Sequence, residues 1–554
     1  DVLEEGLTAR VIEELPTTVG LYQFTHALIQ ETLTDELSLT RRVRLHARIA
    51  EVLEKLYAND LESRAAELAH HFAQAETIHG TDKLVRYSII AGNKAFNNYA
   101  YEEAADHFGT ALASLEDTPM DMSKAELTFG QGRSELSMFD TQAGWRHLKL
   151  AFDYYIDVGE NSKAVQIAQY PFSPVTHFPD DLEELLTRAL KIVPEGSIES
   201  VKILSTYGRV LSNVHGDYEK SHEAFDMSID ISRREQDYDL EMFSLAAAAA
   251  GDAYDANWER CAERCMEGLE LRDKSNDLYA LNGILGFLVR ALIVTGRPEI
   301  ATEYARELLP LAETFRDRNA LTTDYWLNGV VARMRGDWQE TRRLTNIAMD
   351  WAPGDDRPLG TRILMEYDLG ETDAGESFLN RPTIRVQNST ADIELIYPLI
   401  HRIQGDDVGV ALSKEFYSDM LSHPHPPPME AYLANTSLGL IAVAESDIES
   451  VRRCYTALTP HSGILVWFAF ICVDRVLGIL ASALGEFETA DGHFADSVAF
   501  CRKAGYRPEL SWSLRDYAEM LLERDEPGDQ QRATQLLDES LQVSTDLGMR
   551  PLME

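Results

Sequence analysis

Small and apolar residues recur along this chain at helical spacing, stop at a short turn, and resume on a second helical stretch with small or aromatic inward positions. Three such turns are Gly216-Asp217-Tyr218, Gly336-Asp337-Trp338 and Gly485-Glu486-Phe487. Gly216, Ala256, Gly296 and Gly336 stand at a constant interval, each followed within two positions by Tyr218, Trp258, Pro298 or Trp338. Regular spacing over four units predicts paired helices stacked as a repeat array. The alanine run 246–250 fits, because close helix packing needs small side chains. Alternating Val/Ile/Thr runs of the strand type are almost absent.

Residues 1–58 follow a different pattern. Leu3 to Leu15 reads as a helix, Pro16 to Gly20 breaks it, and Leu21-Tyr22-Gln23-Phe24-Thr25 is the best short strand candidate. His26 to Leu37 predicts a helix, and Ser38 is placed to cap another from Thr40 to Tyr57. Helices with a small strand element are what a winged-helix-like module shows.

Residues 59–352 read as helix after helix. Arg64 to Phe72 sets Ala65, Leu68, Ala69 and Phe72 on one side, so of the adjacent His70 and His71 one lies near the core and one faces water. The stretch Ala91 to Leu112 matches the tetratricopeptide pattern: small residues at 91, 95, 104 and 111 let two helices approach, while Phe96, Tyr101 and Phe108 fill the remaining space. Regularity weakens over 353–430, where Pro353 to Pro358, Gly370 to Gly375 and His423 to Pro428 punctuate shorter helices. Units return over 431–554 as Leu477 to Phe500, Pro508 to Glu523 and Gln530 to Leu547, with Gly548 as a stop. The predicted fold class is all-α, a tetratricopeptide-like superhelix preceded by a small winged-helix-like module. Truncation after Ile347, between units, is expected to leave a soluble partial array.

Charge narrows the partners. Against 51 Lys+Arg stand 92 Asp+Glu, a net charge of -41 over 554 residues, which repels phosphate backbones and argues against direct nucleic-acid binding by the array. The one basic stretch, Arg41-Arg42-Val43-Arg44-Leu45-His46-Ala47-Arg48, alternates with Val43, Leu45 and Ile49 and reads as a packed helix with a solvated basic face. Five scattered cysteines form no disulfide framework and suit a reducing cytoplasm. The apolar run Ile464 to Val473 is too short to span a bilayer and reads as a buried helix. The chain opens without Met inside a helical pattern, as a fragment or a processed form does.

No motif marks an enzyme. There is no phosphate-cradling Gly-rich loop followed by Lys-Ser or Lys-Thr. His222-Glu223 begins like a metalloprotease helix, but Asp226 stands where the second zinc histidine belongs. Gly130-Gln131-Gly132 lacks the preceding strand and the third glycine of a dinucleotide loop. His423 and His425 beside prolines read as a rigid connector, so no metal site is expected. Recognition belongs instead to the concave surface of a repeat array, where Tyr207, Arg209, Trp326, Asn328 and Arg333 on first helices are candidates for a protein, peptide or small effector.

The segments Tyr22 to Leu33, Arg41 to His46 and Ala66-Glu67-Leu68-Ala69-His70-His71-Phe72, with the repeat at 99–112, resemble the region after the ATP-binding domain in large bacterial signal-transduction ATPases. That group includes MalT-like and LuxR-type regulators and ATPase-coupled adenylate/guanylate cyclases. Ala504 to Leu510 and Leu547 to Leu552 are similar to its repeat region. The resemblance implies a cytoplasmic, non-catalytic sensing scaffold for a ligand or protein, with an upstream ATPase domain in cis; the alternative is a protein–protein assembly adaptor. ATP or ADP is implied for that ATPase domain only, with no cofactor in this chain. His26 resembles the histidine that contacts the ADP phosphate in related switches.

Overall fold

The computed structural model describes residues 2–15, 22–170, 178–179, 181–380, 391–423 and 426–553. The chain divides into two compact units, Asp1–Gly159 and Glu160–Glu554.

The first unit opens with α1 (Val2–Thr8), a two-stranded antiparallel hairpin of β1 (Ile12–Glu14) and β2 (Tyr22–Phe24), α2 (Ala27–Asp35) and α3 (Leu39–Leu56). The expected helix Leu3 to Leu15 ends early for a local reason. Arg10 takes a left-handed φ of 55° and turns the chain back. Thr25 then clamps the return, its Oγ1 donating to the Arg10 carbonyl at 2.7 Å. The expected break at 16–20 and Leu21 lie outside the described residues. Ser38 does cap α3, accepting from the Arg41 amide at 3.4 Å. Helices α4 (Ala65–Gln74), α5 (Glu76–His79), α6 (Asp82–Asn97), α7 (Tyr101–Ser114), α8 (Met122–Ser137) and α9 (Thr141–Asp157) complete the unit.

The second unit continues with α10 (Asn161–Ala168), α11 (Leu182–Leu190), α12 (Val201–Val210), α13 (Tyr218–Glu235), α14 (Tyr238–Tyr254), α15 (Trp258–Leu269), α16 (Leu278–Val294), α17 (Pro298–Phe315), α18 (Arg318–Arg335), α19 (Trp338–Trp351), α20 (Asp356–Asp368) and α21 (Thr372–Leu379). After α22 (Ala391–Glu394) come α23 (Tyr397–Gln404), α24 (Asp407–Ser422), α25 (Pro428–Glu445), α26 (Ile448–Leu458), α27 (Val473–Ala483), α28 (Phe487–Ala504), α29 (Arg507–Arg524) and α30 (Asp529–Leu547).

One turn chemistry recurs throughout. Gly216, Ala256, Gly296 and Gly336 all adopt left-handed φ, from 57° to 81°, and so end the first helix of each pair. The next residue caps the second helix: Asp217, Asn257 and Asp337 accept from the backbone amide three positions on. Aromatic wedges hold the pairs together. Phe108 on α7 lies against Gly92 on α6 and Gly130 on α8, and Phe225 on α13 lies against Gly208 on α12 and Gly251 on α14. A Cβ on Gly92 or Gly208 would stand 2.6 Å from the ring, so glycine is what makes room. Gly130, weighed in sequence as part of a nucleotide loop, is therefore a helix-packing residue.

In the second unit two arrays face each other. First helices meet first helices: α14 packs on α25, α18 on α29 and α20 on α23. The turns align as well. Tyr506 donates to the Ile293 carbonyl at 2.6 Å, Trp338 Nε1 donates to the Leu547 carbonyl at 2.8 Å, and Arg550 Nε donates to the Leu369 carbonyl at 2.9 Å.

Candidate protein-binding surfaces

The face where the arrays meet carries two of the five expected recognition residues. Trp326 is 1% exposed; its Nε1 donates to Thr361 Oγ1 at 2.8 Å, and its ring lies 5.6 Å from Trp467 and 6.1 Å from Phe468. Arg333, two turns further along the same face of α18, pairs with Asp368 at 2.8 Å and sits 5.0 Å over the Phe470 ring. The other three point elsewhere. Asn328 braces the α17–α18 contact by donating to the carbonyls of Ala305 and Asp324. Arg209 is buried on α12 with its guanidinium 5.1 Å from the Phe178 ring. Tyr207 is half-buried, its hydroxyl pKa raised by burial and by nearby Glu183.

The chain itself covers Trp326 and Arg333. Residues 464–473, read in sequence as a buried helix, are buried but form a hairpin of β3 (Leu465–Val466) and β4 (Ile471–Cys472). Both its faces are apolar, so no helical stripe selects a side. Its ends are tied instead: Ser462 Oγ and the Gly463 amide donate to Asp474 at 2.7 and 2.6 Å, and the Cys472 amide donates to Glu509 at 2.8 Å. At its tip Phe468 and Phe470 hold left-handed φ values of 71° and 56°, a conformation costing roughly 1–2 kcal/mol for a residue with a Cβ. The tip drives Trp467 between Trp258 and Trp326 and stacks Phe468 on Trp326.

Beside the hairpin lies a cavity of about 40 Å³ bordered by Arg333, Asp368, Arg402, Phe470, Arg475 and Glu509. Arg475 pairs with Glu509 and Asp516, each at 2.7 Å, and Arg402 reaches Asp516 at 2.8 Å. Burial raises the Glu509 carboxyl to about 7 against the pull of Arg475. Burial acts on Asp516 too, but Arg402 and Arg475 together hold it well below the usual carboxylate range. Three cations at Asp516, with Arg515 the third at 2.9 Å, against one at Glu509 explain the opposite directions. This network joins α18, α20, α23, α27 and α29 and locks the arrays together.

An open surface lies in the first unit. On α3, Ala47 and Ala50 are buried, whereas Leu45, Ile49, Val52 and Leu56 are 41, 41, 54 and 68% exposed. Leu45 and Ile49 therefore do not pack as the sequence pattern predicts. The small alanines form the inward face, and the larger side chains point out. Spacing of four, three and four residues sets them on one stripe, flanked by exposed Arg41 and Arg48. His26 precedes α2 at its N-cap position, exposed and making no side-chain capping bond.

No protein-family model matches the chain, and no curated protein matches it. Among solved structures it is similar to a chain of the crystal structure of the APC/C hetero-tetramer Cut9-Hcn1, with a TM-score of 0.51 at 14% identity. The likeness covers 95% of this chain and 94% of that one. The fold is a tetratricopeptide-like helical repeat. At that identity the likeness bears on the fold alone. A small β-hairpin and helix module precedes the first repeats. No helix among the described residues is long and apolar enough to cross a membrane.

Proposed function

We propose that this chain is a protein–protein assembly scaffold of the cytoplasm. The observation carrying the proposal is the α3 stripe: Leu45, Ile49, Val52 and Leu56 lie exposed on a well-formed helix of an otherwise acidic repeat protein. The flanking arginines select the partner's chemistry, an apolar patch rimmed by carboxylates. Five free, buried cysteines support a reducing compartment. The face bearing Trp326 and Arg333 serves recognition only when the 464–473 hairpin gives way, whereas α3 is open at rest; Tyr207, Arg209 and Asn328 act in support of the fold.

The test compares partners retained by the full chain and by an Ile49→Asp/Val52→Asp variant of equal helicity. Loss of a stoichiometric partner in the variant, by tenfold or more, is the expected result. Equal retention moves the binding surface off α3.

A second reading follows from the same stripe. In the signalling-ATPase arrangement that the sequence resembles, the winged-helix-like segment packs against the nucleotide of an ATPase domain, His26 donates to an ADP phosphate, and the repeat array senses a ligand or protein. That reading expects the α3 partner to hold ADP and His26→Ala to weaken its retention in the complex. A partner that binds no nucleotide leaves the assembly-scaffold reading standing.

A further inference from the structure

His46 on α3 and His70 and His71 on α4 are separated in sequence but converge in the fold of the first unit. Their ring centroids lie 5.0 Å (His46–His71), 5.3 Å (His70–His71) and 5.7 Å (His46–His70) apart. One ring nitrogen from each falls within 4.8 Å of the other two. His46 and His71 approach most closely, Nδ1 to Nδ1 at 2.8 Å, an arrangement in which one ring donates and the other accepts.

A hydrogen-bonded pair accounts for His46 and His71, but not for the third ring turned toward them from an exposed position. We propose that His46, His70 and His71 form a binding site for one divalent transition-metal ion, zinc fitting best. Zinc binds imidazole nitrogen at about 2.0–2.1 Å in tetrahedral geometry, which sets ligand nitrogens about 3.3 Å apart. The triangle of rings meets that spacing by a small opening of the His46–His71 contact and a rotation of exposed His70. Three imidazoles with a fourth, water-accessible position make the donor set that suits zinc rather than magnesium or calcium, which take oxygen ligands.

The surroundings of His46 and His71 favour the neutral form of those two rings. Burial first, then His70 and Arg42, depress the His46 pKa; burial first, then His46 and His70, depress that of His71, with Glu67 opposing weakly. The metal joins the last helix of the hairpin module to the first long helix of the repeats. It thereby fixes the helix whose outer side carries the exposed stripe.

The metal-stripped full chain is titrated with Zn²⁺ by calorimetry at neutral pH, alongside His70→Ala and His46→Gln variants checked for unchanged circular dichroism. The expected result is one site per chain in the wild type and an affinity at least about tenfold weaker in each variant. Absence of zinc binding by the wild type overturns the site. So does weakening by His46→Gln without weakening by His70→Ala, which leaves only a histidine pair.

Discussion

Aspartates do two kinds of work in this protein, one at the surface and one inside. Asp237, Asp277 and Asp317 each accept from the amide three residues on, at 2.9–3.0 Å, and so start α14, α16 and α18. Together with Asp217 and Asp337 they account for part of the acidity as helix caps, each worth about 1 kcal/mol. Asp324 is the inward case. It is 1% exposed, accepts from Asn282 Nδ2 at 2.6 Å through one oxygen, and leaves the other without a partner. Burial pushes its carboxyl up to about 7, while Asn282, Arg290 and Arg357 pull it down and Asp317 pushes it further up. The folded state therefore keeps a proton that the unfolded chain loses near pH 4, and stability contributed by this group falls as pH rises toward 7. Asp324→Asn removes that loss: between pH 5 and 8 the variant should lose ~2 kcal/mol less stability than the wild type in urea melts. Equal losses in both proteins would show that Asp324 is already ionised at pH 5.

At the scale of elements, the hairpin within 464–473 is the piece most sensitive to change. Trp467 is 3% exposed and touches Trp258, Trp326, Phe468 and Phe470. Trp467→Ala should cost about 3–5 kcal/mol and lower the unfolding midpoint sharply; a loss below 1 kcal/mol would mean that the interface does not depend on this plug. The repeat turns were legible in the sequence because their causes are local: a left-handed residue, a cap and an aromatic within three positions. The hairpin was not, since nothing in ten consecutive apolar residues separates a buried helix from a buried strand pair. The outward stripe on α3 was hidden for a related reason. Ala47 and Ala50 look too small to define the packed side, yet their smallness is what lets α4 approach. Likewise His46 and the His70–His71 pair are separated by a turn whose geometry the side-chain pattern leaves open.

For the whole molecule, the decisive fact is that the second unit is not an open row of helix pairs. An open array tolerates loss of its end, because each pair rests only on its neighbours. Here α14, α18 and α20 rest on α25, α29 and α23 as well. Truncation after Ile347, expected from the repeat pattern to fall between units and leave a soluble partial array, cuts inside α19 (Trp338–Trp351) and removes the cover from Trp258 and Trp326. The truncated chain should aggregate or bind a hydrophobic dye strongly. A monomeric, cooperatively melting truncation product would show that the first array stands by itself.

The facing turns have a historical consequence. Successive turns of the first array at Gly216, Trp258, Gly296 and Gly336 meet Pro427, Trp467, Phe500 and Leu547 of the second in the same order. Open solenoids lengthen and shorten by duplicating or dropping a unit, since a new neighbour is all that each unit needs. In this chain a unit gained on one side would slide every later turn out of step with its opposite number. A change in repeat number therefore keeps the two rows in step only when it is made in matched pairs or at the ends of the rows, so the count of units is a property of two rows at once.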